Sequence, residues 1–212
     1  MQKLWAFAFV MLTLMSGFFG YRYLTAQPEL TSALVYPVAR NLTEFNLIDH
    51  RGNQVGLEQL RGQWTLAFVG YTFCPDICPM TMATLSGAIP SLQALLPPGQ
   101  KLGVWFISVD PQRDTQQQLH NYVGYFEQKA LTGVTANHDR LFPFVRELGL
   151  SYAISSSTEP DYRVDHSASI VLLNPQAQLV AVFKPEINPN SVPVVSKAQL
   201  VRDFPLVLAQ LD

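Results

Sequence analysis

The two cysteines of the chain, Cys74 and Cys78, each precede a proline and stand shortly after a short apolar run, Thr65–Tyr71. The run has the length and composition of a central, buried β-strand. Because the cysteines share one short segment, a bond between them cannot tie distant parts of the fold together. This local pair therefore indicates a redox pair, a metal site or a small structural loop.

The prolines constrain the backbone around both cysteines. Proline disfavours the α conformation in the residue before it, so Cys74 and Cys78 are predicted to be extended and joined by a loop. Pro79 suits the first residue of the following helix, which places Cys78 at the helix N-terminus. The partial positive charge there stabilises a thiolate, and two soft thiolates at the end of a strand suit Cu(I).

A third ligand has to come from elsewhere in the chain, which has four histidines. His50 in a predicted turn, His120 on a predicted helix and His138 ahead of another are interpreted as solvated or capping residues. His166 precedes an apolar strand that can lie beside the cysteine strand, and Asp165 is placed to orient its imidazole. Spacing alone leaves open whether His166 is a ligand.

The order of predicted elements indicates an α/β fold. Strands alternate with helices, which implies parallel pairing, and a closing hairpin adds antiparallel strands. This is the order of a thioredoxin-like mixed sheet flanked by helices, predicted for residues 41–212. The elements are hairpins at 45–57 and 169–183, strands at 65–71, 102–109 and 152–154, and helices at 81–95, 114–126, 139–149 and 197–211.

The start of the chain is apolar. Leu4–Gly20 carries no charge and is close to the shortest length that spans a bilayer. It predicts an N-terminal transmembrane anchor over residues 1–24, with a cleaved signal peptide as the alternative. Residues 25–40 include two prolines and are predicted to be a linker. Lys3 and the terminal amine favour the N-terminus inside, so the expected location is a bacterial inner membrane with the domain in the periplasm.

The charge balance excludes one class of partner. The formal net charge is −2 and charged residues make up 14% of the chain. Lys and Arg are scattered along the sequence, so no basic surface for nucleic acid is predicted.

Four ordered blocks carry a family resemblance. Tyr71–Pro79 resembles the CPDxCP signature of the Sco/SenC copper chaperones, and Ser108–Thr115 resembles their SVDPxRDT block. Leu131–Gly133 and Asp161–Ser167 resemble the two later blocks, the second of which contains VDHS. The resemblance runs from about Phe45 to the C-terminus.

The resemblance implies a copper site made of Cys74, Cys78 and His166, holding Cu(I) or Cu(II). Family members are thioredoxin-like, usually membrane-anchored, and serve maturation of the dicopper CuA centre of cytochrome c oxidase. The implied partners are the oxidase subunit that carries CuA and a copper donor protein. The hypothesis is a metal carrier rather than an enzyme.

Asp114 or Thr115 is predicted to cap the helix at 114–126, and Asp110 is predicted to end a strand. Asp110 and Asp114 are therefore expected to have structural roles and not to bind metal.

Three other functions remain as alternatives. The main one is a membrane-anchored thiol–disulfide oxidoreductase in which Cys74 and Cys78 act on the cysteines of a partner. A thiol peroxidase needs an arginine beside its reactive cysteine, and the sequence indicates none near Cys74. A purely structural disulfide is the remaining alternative.

Overall fold

The computed structural model describes residues 2–25, 30, 32–154, 161–186 and 192–211. Within these residues the chain forms ten strands and five α-helices. The strands are β1 Ala33–Asn41, β2 Leu47–Asp49, β3 Gln54–Val55, β4 Trp64–Gly70, β5 Leu102–Ser108, β6 Leu131–Thr135, β7 Tyr152–Ile154, β8 Val164–His166, β9 Ile170–Leu173 and β10 Gln178–Phe183. The helices are α1 Gln2–Thr25, α2 Ile77–Leu95, α3 Gln116–Gly124, α4 His138–Glu147 and α5 Lys197–Ala209.

Eight of the described strands form one mixed sheet in the order β1-β10-β9-β4-β5-β6-β2-β3. The central strands β4, β5 and β6 are parallel to one another. The β9–β10 hairpin adds antiparallel strands on one side, and the β2–β3 hairpin does so on the other. Strands β7 and β8 form a separate antiparallel ribbon. The predicted α/β fold with a mixed sheet is confirmed.

Helices cover both faces of the sheet. Every residue of β4 and of β5 is buried, as the uninterrupted apolar runs predict. Side chains from α2, α3 and α5 pack on one face against Leu66 and Phe106, and those from α4 pack on the other against Val69 and Ile107. Burying each of these large apolar side chains contributes about 1.5–3 kcal/mol.

Part of the predicted linker is a strand. Residues 33–40 belong to β1, which pairs antiparallel with β10, so their assignment to a linker was wrong. The prolines were the reason for that assignment, but β1 is an edge strand, where a missing N–H is tolerated. Pro37 lies where the register shifts, between Val35 and Arg40.

The cysteine segment also differs from the prediction. Helix α2 begins at Ile77, so Cys78 and Pro79 lie inside its first turn, and Cys78 is not extended. The first N–H groups of a helix have no partner within the helix, so a proline there removes no hydrogen bond. Cys78 still lies at the N-terminal end of α2, as expected.

The apolar start of the chain is helical. In α1 large apolar side chains such as Trp5, Phe9 and Phe18 are exposed. Among the described residues, no helix meets the length and apolarity needed to cross a membrane.

Gly70 ends β4 and allows α2 to approach the sheet. A Cβ atom at this position would lie 2.6 Å from Cys78 Sγ and 2.8 Å from Phe106 Cε2. Both neighbours are fully buried, so neither side chain can turn away into solvent. The absence of a side chain at Gly70 is therefore what makes room for the Cys78 sulfur.

We predict that Gly70→Ala lowers the free energy of unfolding by about 1–3 kcal/mol, because the added methyl group overpacks the β4–α2 contact. Urea unfolding of the variant and the parent measures the difference. Gly87→Ala, in α2, is the matched control because a Cβ there meets nothing within 4 Å. It is expected to raise stability by up to about 1 kcal/mol. Equal stability of Gly70→Ala and the parent would contradict this account.

Candidate metal site

The two cysteines follow β4 and have free thiols with different exposure. The Cys74 backbone N–H donates a hydrogen bond to the Tyr71 carbonyl, which closes a tight turn after the strand. Cys74 is half-buried in the loop, whereas Cys78 is completely buried in the first turn of α2. The sequence placed both sulfurs correctly at the end of the cysteine strand.

His166 lies close to the cysteines although it comes from a much later part of the chain. It is the last residue of β8, which pairs with β7 so that His166 lies opposite Tyr152. Its Nε2 lies 3.4 Å from Cys78 Sγ, although 88 positions separate the two residues in the chain. The predicted neighbour of the cysteine strand is also confirmed, because β9 pairs with β4 directly after this segment.

A backbone carbonyl orients the imidazole. His166 Nδ1 lies 3.1 Å from the carbonyl oxygen of Ser167. That oxygen can only accept a hydrogen bond, so Nδ1 carries a hydrogen and Nε2 is the nitrogen that faces the sulfur. The sequence analysis assigned the orienting role to Asp165, and this was wrong: its side chain is exposed, and the hydrogen-bond partner of Nδ1 is Ser167.

Three potential ligand atoms therefore converge, one each from Cys74, Cys78 and His166, and they lie within 4.8 Å of one another. In the described part of the chain this is the one group of three or more such side chains close enough to share an ion. An open cavity of about 190 Å³, lined also by Pro75 and Ile77, gives access to it. Two sulfurs and one imidazole nitrogen are a soft donor set, which suits Cu(I) better than a hard cation.

The two thiols are electrostatically unequal. The Cys78 thiol donates a hydrogen bond to the Cys74 sulfur, which lowers the pKa of Cys74. Burial opposes this effect, and hydrogen bonds with His166 and with the backbone N–H groups of Cys78 and Asp76 lower the pKa further. The same hydrogen bond, burial and the charge of Cys74 raise the pKa of Cys78. One thiolate, at Cys74, is therefore available before metal arrives, and the second forms as a proton leaves.

Asp114 fixes the loop that carries Cys74. Its buried carboxylate accepts hydrogen bonds from the Thr72 backbone N–H (2.9 Å), the Thr72 hydroxyl (2.7 Å) and the Ser108 hydroxyl (2.6 Å). Burial raises its pKa, and the three hydrogen bonds oppose that rise. Of the two predicted caps of α3, Thr115 is the observed one, because its hydroxyl accepts from Gln118 N.

Asp110 also has the structural role that was expected, with partners that the sequence analysis did not identify. It is completely buried and accepts hydrogen bonds from Arg113 Nε and the Tyr162 hydroxyl. The resemblance indicated the block containing Asp110 and Arg113, but no sequence signal linked either residue to Tyr162. Their contacts join residues far apart in the chain.

The other three histidines lie outside this cluster. His50 is buried and accepts a hydrogen bond from the Gly133 N–H, and the exposed His120 lies beside it with ring centroids 5.7 Å apart. His138 bonds to the Tyr152 hydroxyl and stacks on its ring. His120 and His138 are exposed, as interpreted, but the interpretation of His50 as a solvated or capping residue was wrong, because its side chain is buried.

Comparisons with known proteins agree with the site. A family model described as SCO1/SenC matches residues 37–199. A protein of Stutzerimonas stutzeri whose name describes it as copper-binding is 34% identical over 151 residues, covering 71% of this chain and 72% of its own. The mitochondrial SCO1 homolog 1 of Arabidopsis thaliana is 37% identical over 139 residues, covering 66% of this chain and 41% of its own. The chain thus spans less than half of that plant relative.

Solved structures of ScoI proteins have the same fold as this chain. The copper-bound crystal structure of Arabidopsis thaliana ScoI matches with a TM-score of 0.66 and 32% identity, covering 79% of this chain and 98% of that one. Copper-bound ScoI of Bradyrhizobium japonicum matches with a TM-score of 0.60 and 30% identity, covering 76% and 98%. Since the family model covers most of the sheet together with Cys74, Cys78 and His166, the chain belongs to the SCO1/SenC family.

Proposed function

We propose that the chain binds one copper ion through Cys74, Cys78 and His166 and passes it to a partner protein. The observation that carries the proposal is the convergence of two free thiols and an imidazole nitrogen within 4.8 Å. The copper-bound structures of Arabidopsis thaliana and Bradyrhizobium japonicum ScoI, each at least 30% identical to this chain, support copper as the ion.

The site suits transfer as well as binding. Three ligands leave one side of the ion open, and the half-buried Cys74 lies at the solvent side of the cluster. A thiolate from a partner can therefore add to the ion before a ligand of this chain leaves. Exchange of this kind needs no step in which copper is released into water.

Oxidation controls the same site. An oxidant that accepts two electrons, such as a disulfide of a partner protein, joins the Cys74 thiolate and the Cys78 thiol in a disulfide, releases the Cys78 proton and removes both sulfur ligands. Copper binding is therefore coupled to the redox state of the pair. A partner that keeps the pair reduced also keeps it able to bind copper.

We predict that the reduced full chain, purified in detergent, binds one equivalent of Cu(I) in an anaerobic competition titration. Cys74→Ala, Cys78→Ala and His166→Ala are each expected to weaken binding at least about 100-fold, since even residues behind the ligands change metal affinity 10–100-fold. His120→Ala is the matched control and is expected to bind like the parent. Unchanged binding by His166→Ala, or copper retained after disulfide formation, would contradict the proposed site.

For the partner, we propose the cytochrome c oxidase subunit that carries the CuA centre, with a separate protein as copper donor. The chain's membership of the SCO1/SenC family supports this, because the resemblance to the Sco/SenC copper chaperones implies a role in maturation of the CuA centre. The alternative is reduction of the partner's cysteines by Cys74 and Cys78. The lowered pKa of Cys74 favours this alternative, because a thiolate is the attacking species in disulfide exchange.

One experiment separates delivery from reduction. A metal-free CuA-bearing fragment is prepared in reduced and in disulfide form and mixed with the full chain. Delivery predicts that the copper-loaded chain builds the CuA absorption bands in the reduced fragment. Reduction predicts that the copper-free, reduced chain opens the fragment's disulfide, even when His166 is Ala. If neither reaction occurs faster than with free copper or glutathione, the proposed partner is wrong.

For location, we propose that the full apolar run Leu4–Gly20, of which the described residues alone do not meet the requirements of a membrane-spanning helix, anchors the chain in a bacterial inner membrane with the domain in the periplasm. The support is the uncharged run Leu4–Gly20 and the exposed apolar side chains of α1. We predict that the chain stays with membranes in high salt and leaves them in detergent. Protease added to spheroplasts is expected to digest the domain. Recovery in the soluble fraction after lysis, or protection from the protease, would contradict this proposal.

A further inference from the structure

One arginine side chain lies between the two segments that carry the proposed ligands. Arg113 Cζ is 3.5 Å from the ring centroid of Tyr162, which precedes β8 and His166. The same atom is 5.5 Å from the ring centroid of Tyr71 and 5.2 Å from that of Phe73. Tyr71 and Phe73 belong to the turn that leads to Cys74 in the sequence.

A buried carboxylate holds this arginine in place. Asp110 Oδ2 accepts a hydrogen bond from Arg113 Nε, and Asp110 Oδ1 accepts one from the Tyr162 hydroxyl, each at 2.5 Å. The Asp110 side chain is completely buried, and only 14% of the Arg113 side chain is exposed. A planar guanidinium stacked on an aromatic ring and bonded to a carboxylate has little freedom to move.

The histidine segment is also held by the β4–β9 pairing that follows it and by a hydrogen bond between the Tyr71 side chain and the Val164 backbone, but β8 itself has little support. Strand β8 is three residues long, and its backbone partner is the equally short β7, which lies outside the main sheet. The His166 ring meets the Tyr71 ring edge to face, with centroids 6.0 Å apart. Arg113 therefore contacts the histidine segment through Tyr162 and contacts Tyr71, the ring against which the imidazole rests.

We infer that Arg113, held by Asp110, is a positioning residue that sets the distance and orientation of His166 relative to Cys74 and Cys78. It acts through Tyr162 and Tyr71 and does not itself touch the ion. This inference rests on the copper site proposed above. It assigns to the Asp110–Arg113–Tyr162 cluster the fine positioning of a histidine that lies on a short ribbon.

The test uses the full chain with four substitutions. Arg113→Met keeps the length of the side chain and removes its charge and its planar group, and Arg113→Lys keeps the charge alone. Tyr162→Phe keeps the stacked ring and removes the hydroxyl with its hydrogen bonds to Asp110, Arg113 and Gln112. Arg146→Met is the matched control, because Arg146 also lies over an aromatic ring, that of Phe142, and is exposed.

Each protein is assayed for Cu(I) affinity, for the sulfur-to-copper absorption and hyperfine splitting of its Cu(II) form, and for its thermal midpoint. We expect Arg113→Met to weaken copper binding about 10–100-fold and to shift both spectra. Arg113→Lys is expected to recover part of the loss, and Tyr162→Phe to show a smaller loss than Arg113→Met. Arg146→Met is expected to match the parent in affinity and spectra.

The outcomes distinguish this inference from the proposed function. If the parent binds no copper, the proposed function fails and the positioning role fails with it. If the parent binds copper, and folded Arg113→Met and Tyr162→Phe match it in affinity and spectra, the inference is wrong even where their thermal midpoints fall. Should Arg113→Met not fold, Arg113→Lys and Tyr162→Phe decide by the same criterion.

Discussion

The antiparallel pairing of β4 with β9 brings together the two parts of the chain that carry the ligand side chains. Its register pairs Thr65 with Leu173 and Ala67 with Val171. In an antiparallel pair the end of one strand lies beside the start of the other, so the cysteines that follow β4 emerge next to the histidine that precedes β9. Burial of the sheet offsets the entropy of closing this long loop, and the ligands meet before any metal binds.

Buried carboxylates then hold the loops on this scaffold. Asp110 and Asp114 are both inaccessible to solvent. Asp110 accepts hydrogen bonds from Arg113 in its own loop and from Tyr162, and Asp114 accepts them from Ser108 and from Thr72 in the cysteine loop. Burying a carboxylate without hydrogen-bond partners would cost several kcal/mol. The loops are therefore held in the positions where their donor groups reach these carboxylates. Neither carboxylate belongs to the metal cluster, which leaves the donor set soft and low in charge.

The sequence predicted the parts of this molecule that depend on local pattern. Unbroken apolar runs identified β4 and β5, and a turn between two apolar runs identified the β9–β10 hairpin. Strand β6 was not predicted, because Gly133 weakens its strand pattern. A larger residue does not fit at this position, since a Cβ atom would lie 2.7–3.0 Å from side-chain atoms of Val123 and Leu119. Strand β1 and the contacts of Arg113 depend on pairing between distant residues, which a local pattern does not contain. His166 was identified through the family resemblance, since its spacing left the role open.

The two cysteines are unequally exposed, so the site has a solvent-facing side at Cys74 and a buried side at Cys78. Cys78 is completely buried, with its sulfur close to Gly70, whereas Cys74 is half-buried and lines the open cavity. Any thiol that arrives from solvent therefore meets Cys74 first, and Cys78 is screened from direct attack. Exchange of a metal or of a disulfide at this pair, as proposed above, would therefore begin at the sulfur of Cys74 and reach the sulfur of Cys78 last.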